Sequence, residues 1–131
     1  MARRKGTMAR YDKKPARSVS RESDVLSDVM TTLTIWKIRG EPLVYWRNNT
    51  GAGHVNGRWL TWGLKGSPDV LVCWGGRFIG IECKSAKGKQ SPEQKRFQEK
   101  FEAVGGIYIL ARSYADVDAL FKHSSLQLNG D

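Results

Sequence analysis

Pro68-Asp69 and Glu82-Cys83-Lys84 flank a segment with little choice of fold. Val70-Leu71-Val72-Cys73-Trp74 is an apolar run, Gly75-Gly76 follows, and Arg77-Phe78-Ile79-Gly80-Ile81 is a second run. Two glycines between such runs mark a tight hairpin turn, because both tolerate positive φ. A hairpin symmetric about Gly75 and Gly76 sets Trp74 opposite Arg77 and, at its far end, Asp69 opposite Glu82. Directly opposed residues of an antiparallel pair have Cβ atoms about 4.5–5.5 Å apart, and like charges so placed repel. A divalent cation between them reverses that sign. Lys84 lies two residues beyond Glu82, so strand alternation puts it on the same face. Two acids and a lysine at one end of a hairpin suit metal-assisted hydrolysis of a phosphodiester.

The surrounding pattern predicts a mixed sheet flanked by helices. Ser20 reads as the cap of a helix with apolar residues at Val25, Leu26, Val29, Met30, Leu33 and Trp36, ending near Gly40. Leu43 to Arg47 is a short strand, and Trp59 to Trp62 is a second candidate within a glycine-rich stretch from Asn48 to Gly66. Ser91-Pro92-Glu93-Gln94 is a helix start with a capping box, and that helix turns Phe97, Phe101 and Val104 inward. A buried strand at Ile107–Ala111 and a terminal helix from Ser113 to Lys122 complete the order. No internal repeat is present.

Two further polar residues share the apolar stripes. Gln94 lies on the stripe of Phe97 and Phe101, and Glu22 on that of Val25 and Leu26. The hairpin site offers a partner to both. Gln94 also fits a purely capping role, and Glu22 also fits a solvated acid favoured by the helix dipole.

Charge divides the 131-residue chain, which is long enough for one domain. Its net charge is +9, of which residues 1–21 carry +7: eight basic side chains against Asp12 alone. The expected organisation is a flexible basic tail over 1–20, a folded body over 21–123 and a polar tail over 124–131. Such basic tails engage phosphate backbones without sequence preference. Cys73 and Cys83 point to opposite faces of the expected hairpin, so both read as buried thiols of a reducing compartment. No apolar stretch approaches membrane-spanning length, and no apolar segment follows the basic N-terminus; a cytoplasmic protein is expected.

Gly66-Ser67-Pro68-Asp69, Phe78-Ile79-Gly80-Ile81-Glu82-Cys83-Lys84-Ser85 and Gly88-Lys89-Gln90-Ser91-Pro92-Glu93-Gln94 resemble the virus-type replication-repair nucleases (VRR-NUC) of the PD-(D/E)XK superfamily. The resemblance runs from about Glu22 to about Asp116 and includes Trp46-Arg47-Asn48-Asn49-Thr50-Gly51. It is that of a stand-alone domain of the sort found in phages. It implies an α/β fold with a restriction-endonuclease-like core, a four-stranded mixed sheet between helices, and Mg²⁺ or Mn²⁺ as cofactor. It makes Asp69, Glu82 and the backbone carbonyl of Cys83 metal ligands, with Glu22 a helix-borne acid completing the site. Lys84 then serves the attacking water and the developing charge, and Gln94 supports it.

Arg47, Asn48, Lys65, Ser85, Lys87 and Lys89 flank this site and are candidates for holding DNA phosphates. His54 reads as a surface-loop histidine, since the acids and lysine suffice for the chemistry. The expected activity is a metal-dependent, structure-selective DNA endonuclease, a Holliday-junction resolvase or branched-DNA nuclease working as a homodimer. The alternatives are a less selective flap or single-strand nuclease, and a non-catalytic DNA-binding or packaging module on the same fold.

Overall fold

A computed structural model describes residues 21–128, with side chains to His123; the basic segment 1–20 lies outside the described residues, and the first helix is capped at Arg21, whose N–H donates to Asp24 at 3.3 Å, rather than at the expected Ser20. The order is α1 (Glu22–Ile38), β1 (Leu43–Arg47), β2 (Gly51–Val55), β3 (Arg58–Trp62), β4 (Val70–Trp74), β5 (Arg77–Cys83), α2 (Pro92–Ala103), β6 (Ile107–Ala111) and α3 (Tyr114–Leu128). Four strands form one mixed sheet in the order β1-β4-β5-β6. β1, β4 and β5 run antiparallel, while β6 lies parallel to β5, as the crossover through α2 requires. β2 and β3 form a separate two-stranded ribbon.

The hairpin register is the expected one. Trp74 pairs with Arg77 and Val70 with Ile81 about the turn at Gly75 and Gly76, both in the left-handed region. Alternation then divides the sheet. Val70, Val72, Trp74, Ile79, Ile81 and Cys83 face α1 and α3, where they meet Val25, Val29, Leu33, Trp36, Val117 and Phe121 in one buried cluster. Burial of so many large apolar side chains supplies most of the driving force, about 1.5–3 kcal/mol each. Phe121 sits between Trp36 and Trp74, stacked on the first and edge-on to the second. The two indoles donate to Asp118 (2.7 Å) and Glu41 (2.8 Å), so neither buried N–H is orphaned. Phe78, Gly80 and Glu82 face the other way, towards α2, whose Phe101 packs on Phe97 and Phe78.

Several expectations need correction. The glycine-rich stretch holds two strands rather than one: β2 escaped notice because Gly-Ala-Gly carries neither β-branched nor aromatic side chains. α3 continues to Leu128, beyond the proposed tail boundary at 124. Cys83 is buried and Cys73 is exposed, because the face bearing Cys73 is only partly covered by α2. Val104 is 85% exposed, since α2 ends at Ala103 and the chain turns away through Gly105. Among the described residues, no helix is long and apolar enough to cross a membrane.

Candidate active site

Asp69 enters β4 from a tightly held segment. Pro68 is buried over Gly80, where an added Cβ would stand 2.7 Å from Pro68 Cγ and 3.5 Å from the Phe101 ring. Only glycine at 80 lets the proline seat against β5, and the seated proline fixes where Asp69 begins. Asn48 completes the clamp. Its side-chain amide donates to Ser67 Oγ (2.7 Å) and the Pro68 carbonyl (2.9 Å), and its backbone N–H donates to the Asp69 carbonyl (2.7 Å).

The Asp69 carboxylate accepts the Cys83 N–H through Oδ2 at 2.8 Å. This bond extends the β4–β5 ladder past its last backbone pair and brings Asp69 to the level of Glu82. A strand residue directs its N–H and C=O to the same neighbour. The Cys83 carbonyl therefore faces the Asp69 side, as a backbone metal ligand there requires.

Glu82 is 1% exposed, on the strand next to the parallel pairing with β6. Its Oε1 accepts from Gln94 Nε2 at 2.8 Å and lies 3.6 Å from Lys84 Nζ. Its Oε2 is buried and has no hydrogen-bond partner. Burial, and next the Asp69 charge, push the Glu82 carboxyl up to about 8 against the opposing pull of Lys84. An orphaned buried carboxylate oxygen beside a second acid is costly unless something binds there.

Glu22, Asp69 and Glu82 each bring a carboxylate oxygen within 4.8 Å of the other two. Three acids from α1, β4 and β5 thus converge although they lie up to 60 residues apart. Glu22 itself is exposed, at the first turn of α1, rather than turned into the sheet. It joins the cluster from the solvent side. The donor set is all oxygen, which suits a hard cation such as Mg²⁺ or Mn²⁺ and leaves room for the waters Mg²⁺ retains.

Gln94 performs both tasks foreseen for it. Its Oε1 accepts the Ser91 N–H (2.9 Å), its own N–H donates to Ser91 Oγ (3.2 Å), and its amide nitrogen reaches Glu82. Lys84 is buried, its N–H donating to the Ala111 carbonyl at 2.9 Å and its stem lying close to Gly88. The Cys83 thiol is pushed up to about 12 by burial and then by Asp69, so it packs as an inert core group.

The candidate phosphate-holding residues separate. Asn48 commits its side-chain amide to the Ser67–Pro68 segment. Lys65 lies 3.8 Å from Glu93 in an exposed ion pair. Arg47 borders a groove beside Ser23 and Ser27 of α1. Lys87 and Lys89 are exposed on the loop between β5 and α2, with Ser85 at its start. Arg112 was missed. It donates to the carbonyls of Ser85 (2.7 Å), Ala86 (3.2 Å) and Gly88 (2.8 Å), which fixes the loop that follows Lys84. One exposed arginine after a buried strand carries no sequence signal for that task. His54 lies on β2 against Trp59, ring centroids 5.0 Å apart.

Searches of protein-family models, curated proteins and solved structures found no match to this chain.

Proposed function

We propose that the protein is a metal-dependent endonuclease that hydrolyses phosphodiester bonds in DNA, on a PD-(D/E)XK core of the VRR-NUC type. One observation carries the reading: Glu22, Asp69 and Glu82 converge within 4.8 Å, with a lysine beside the most buried of the three. The buried Glu82 Oε2, which accepts no hydrogen bond beside the Asp69 carboxylate, supports the reading, since a cation there would satisfy both acids.

Glu22, Asp69, Glu82 and the Cys83 carbonyl would hold Mg²⁺ or Mn²⁺. Such an ion supplies a water of lowered pKa and polarises the scissile phosphate. The chain's own groups then have definite tasks. Lys84 places a cation where negative charge grows on the phosphate in the transition state. Gln94 holds Glu82 Oε1, so that the carboxylate keeps one orientation. The sheet and Pro68 exclude water from the back of the site.

The described body carries little added structure for reading base sequence, which favours DNA shape over sequence as the determinant. A four-way or branched junction requires paired cuts, and a homodimer with two such sites provides them.

The test is cleavage of four-way, forked and linear DNA with Mg²⁺ and with EDTA. Wild-type protein is expected to cut branched DNA only with the metal. Lys84→Ala should bind that DNA with unchanged affinity and cut it about a hundredfold or more slowly, the loss expected for one transition-state contact. Binding without cleavage by the wild type in Mg²⁺ and in Mn²⁺ would establish the non-catalytic binder instead.

A further inference from the structure

The β2–β3 ribbon is built unlike the rest of the chain. Every residue of β3 is exposed, including Trp59 (62%), Leu60 (45%) and Trp62 (48%). The two strands pack on each other and on little else. Isolated two-stranded ribbons are marginal in water, and tryptophans left about half or more exposed add little to their stability by burial. The ribbon's aromatic residues therefore need an explanation other than the core.

Their placement is specific. Trp62 pairs with Gly51, and its indole lies across β2: a Cβ at Gly51 would stand 2.6 Å from the ring, and one at Gly53 3.5 Å. Glycine at both positions lets the ring rest on the backbone while about half of it stays open. Trp59 pairs with His54, whose ring holds it edge-on. Both tryptophans border a hollow of about 550 Å³, together with Thr50, Thr61 and Lys65. That volume lies within the about 300–1,000 Å³ of pockets for small organic ligands.

The ribbon is also tied to the acids. Its return segment passes Gly66, where a Cβ would meet the Glu93 carbonyl at 2.5 Å, and continues directly into Pro68-Asp69. Its outgoing end is Asn48, the residue that clamps Pro68. From Asn48 to Ser67 there is no acidic residue, whereas Arg58 and Lys65 are basic. Aromatic faces beside exposed cations, with Lys65 84% exposed although 3.8 Å from Glu93, complement a strand of unpaired bases on a phosphate backbone.

We infer that the β2–β3 ribbon binds an unpaired DNA strand beside the acid cluster, stacking bases on Trp59 and Trp62. This rests on the nuclease reading and narrows it to DNA with an opened strand: a fork, a flap or a branch point. A second copy of the chain is the competing occupant. The observations favour DNA, because Arg58 and Lys65 make the ribbon's charge of one sign and both tryptophans border one hollow beside Lys65. A self-matching interface would gather opposite charges on one face.

The test measures binding of the full chain to forked DNA with single-stranded arms and to blunt duplex, in EDTA so that no cleavage occurs. Trp59→Ala and Trp62→Ala are expected to weaken fork binding about tenfold each while leaving blunt-duplex affinity within twofold. Trp62→Phe should retain most of the fork affinity, and 2-aminopurine in the arm should be quenched by wild type but not by the double alanine variant. Equal losses on both DNAs, or no loss on either, would overturn the inference. So would sedimentation in which the alanine variants dissociate a dimer with fork affinity unchanged. Cleavage of forks by variants and wild type at equal rates would remove the ribbon while leaving the nuclease reading intact. Selective fork binding without any cleavage would do the reverse.

Discussion

The amide of Gln94 donates to Glu82 Oε1 at 2.8 Å while its oxygen closes the capping box on Ser91, so one side chain couples the start of α2 to the acid on β5. Gln94→Glu separates the two tasks, since glutamate caps equally well but cannot donate to Glu82. In EDTA this variant is expected to lose about 1–3 kcal/mol of stability, the cost of stranding a buried acceptor. Thermal or urea unfolding checks it. A variant as stable as wild type would show that Gln94 only caps.

Glu82 sets the pH dependence of the metal-free protein. Its folded-state value near 8 lies above the ordinary 4.5, so the folded state binds this proton more tightly than the unfolded state. The resulting stabilisation is complete below about 4.5 and is lost as pH rises towards about 8. Glu82→Gln carries no such proton. In EDTA its melting temperature should exceed that of the wild type by a margin that widens over this window and then levels. A margin independent of pH would contradict the assigned burial and repulsion. Mg²⁺ should raise the wild-type melting temperature and leave this variant almost unmoved.

Gly80→Ala tests the clamp without touching a ligand. The new Cβ would overlap Pro68, and overpacking of this kind costs about 1–3 kcal/mol. Because Asp69 follows Pro68 directly, Mg²⁺ affinity measured by calorimetry should fall several-fold as well. Lost stability with unchanged affinity would mean that Pro68 does not position Asp69.

Asn48→Ala removes both side-chain bonds to the Ser67–Pro68 segment. It is expected to lower metal affinity and cleavage together while the salt dependence of DNA binding stays that of wild type. A residue whose task was to hold a phosphate would instead lower DNA affinity and leave Mg²⁺ affinity unchanged.

Deleting residues 1–19 removes seven basic side chains and keeps Glu22. The slope of log affinity against log salt should flatten by up to about 6, at about 0.9 per phosphate contact. Affinity should fall on all DNA shapes alike. An unchanged slope would show that the tail makes no backbone contacts.

The β4–β5 hairpin, its register and the start of α2 were legible in the sequence because each is a local device: two turn glycines between apolar runs, and a Ser-Pro cap three residues from its partner. The same locality gave Asp69, Glu82 and Lys84 as a group. The ribbon was half hidden, since Gly-Ala-Gly in β2 has no side-chain signature and pairs only because β3 supplies Trp62 to cover it. Tertiary structure alone decided that Glu22 reaches the acids, that Asn48 holds the Ser67–Pro68 segment, and that Arg112 fixes the loop after Lys84. It also sorted the tryptophans into two buried and three exposed. These depend on contacts between residues far apart in the chain, and such contacts leave no periodicity along it.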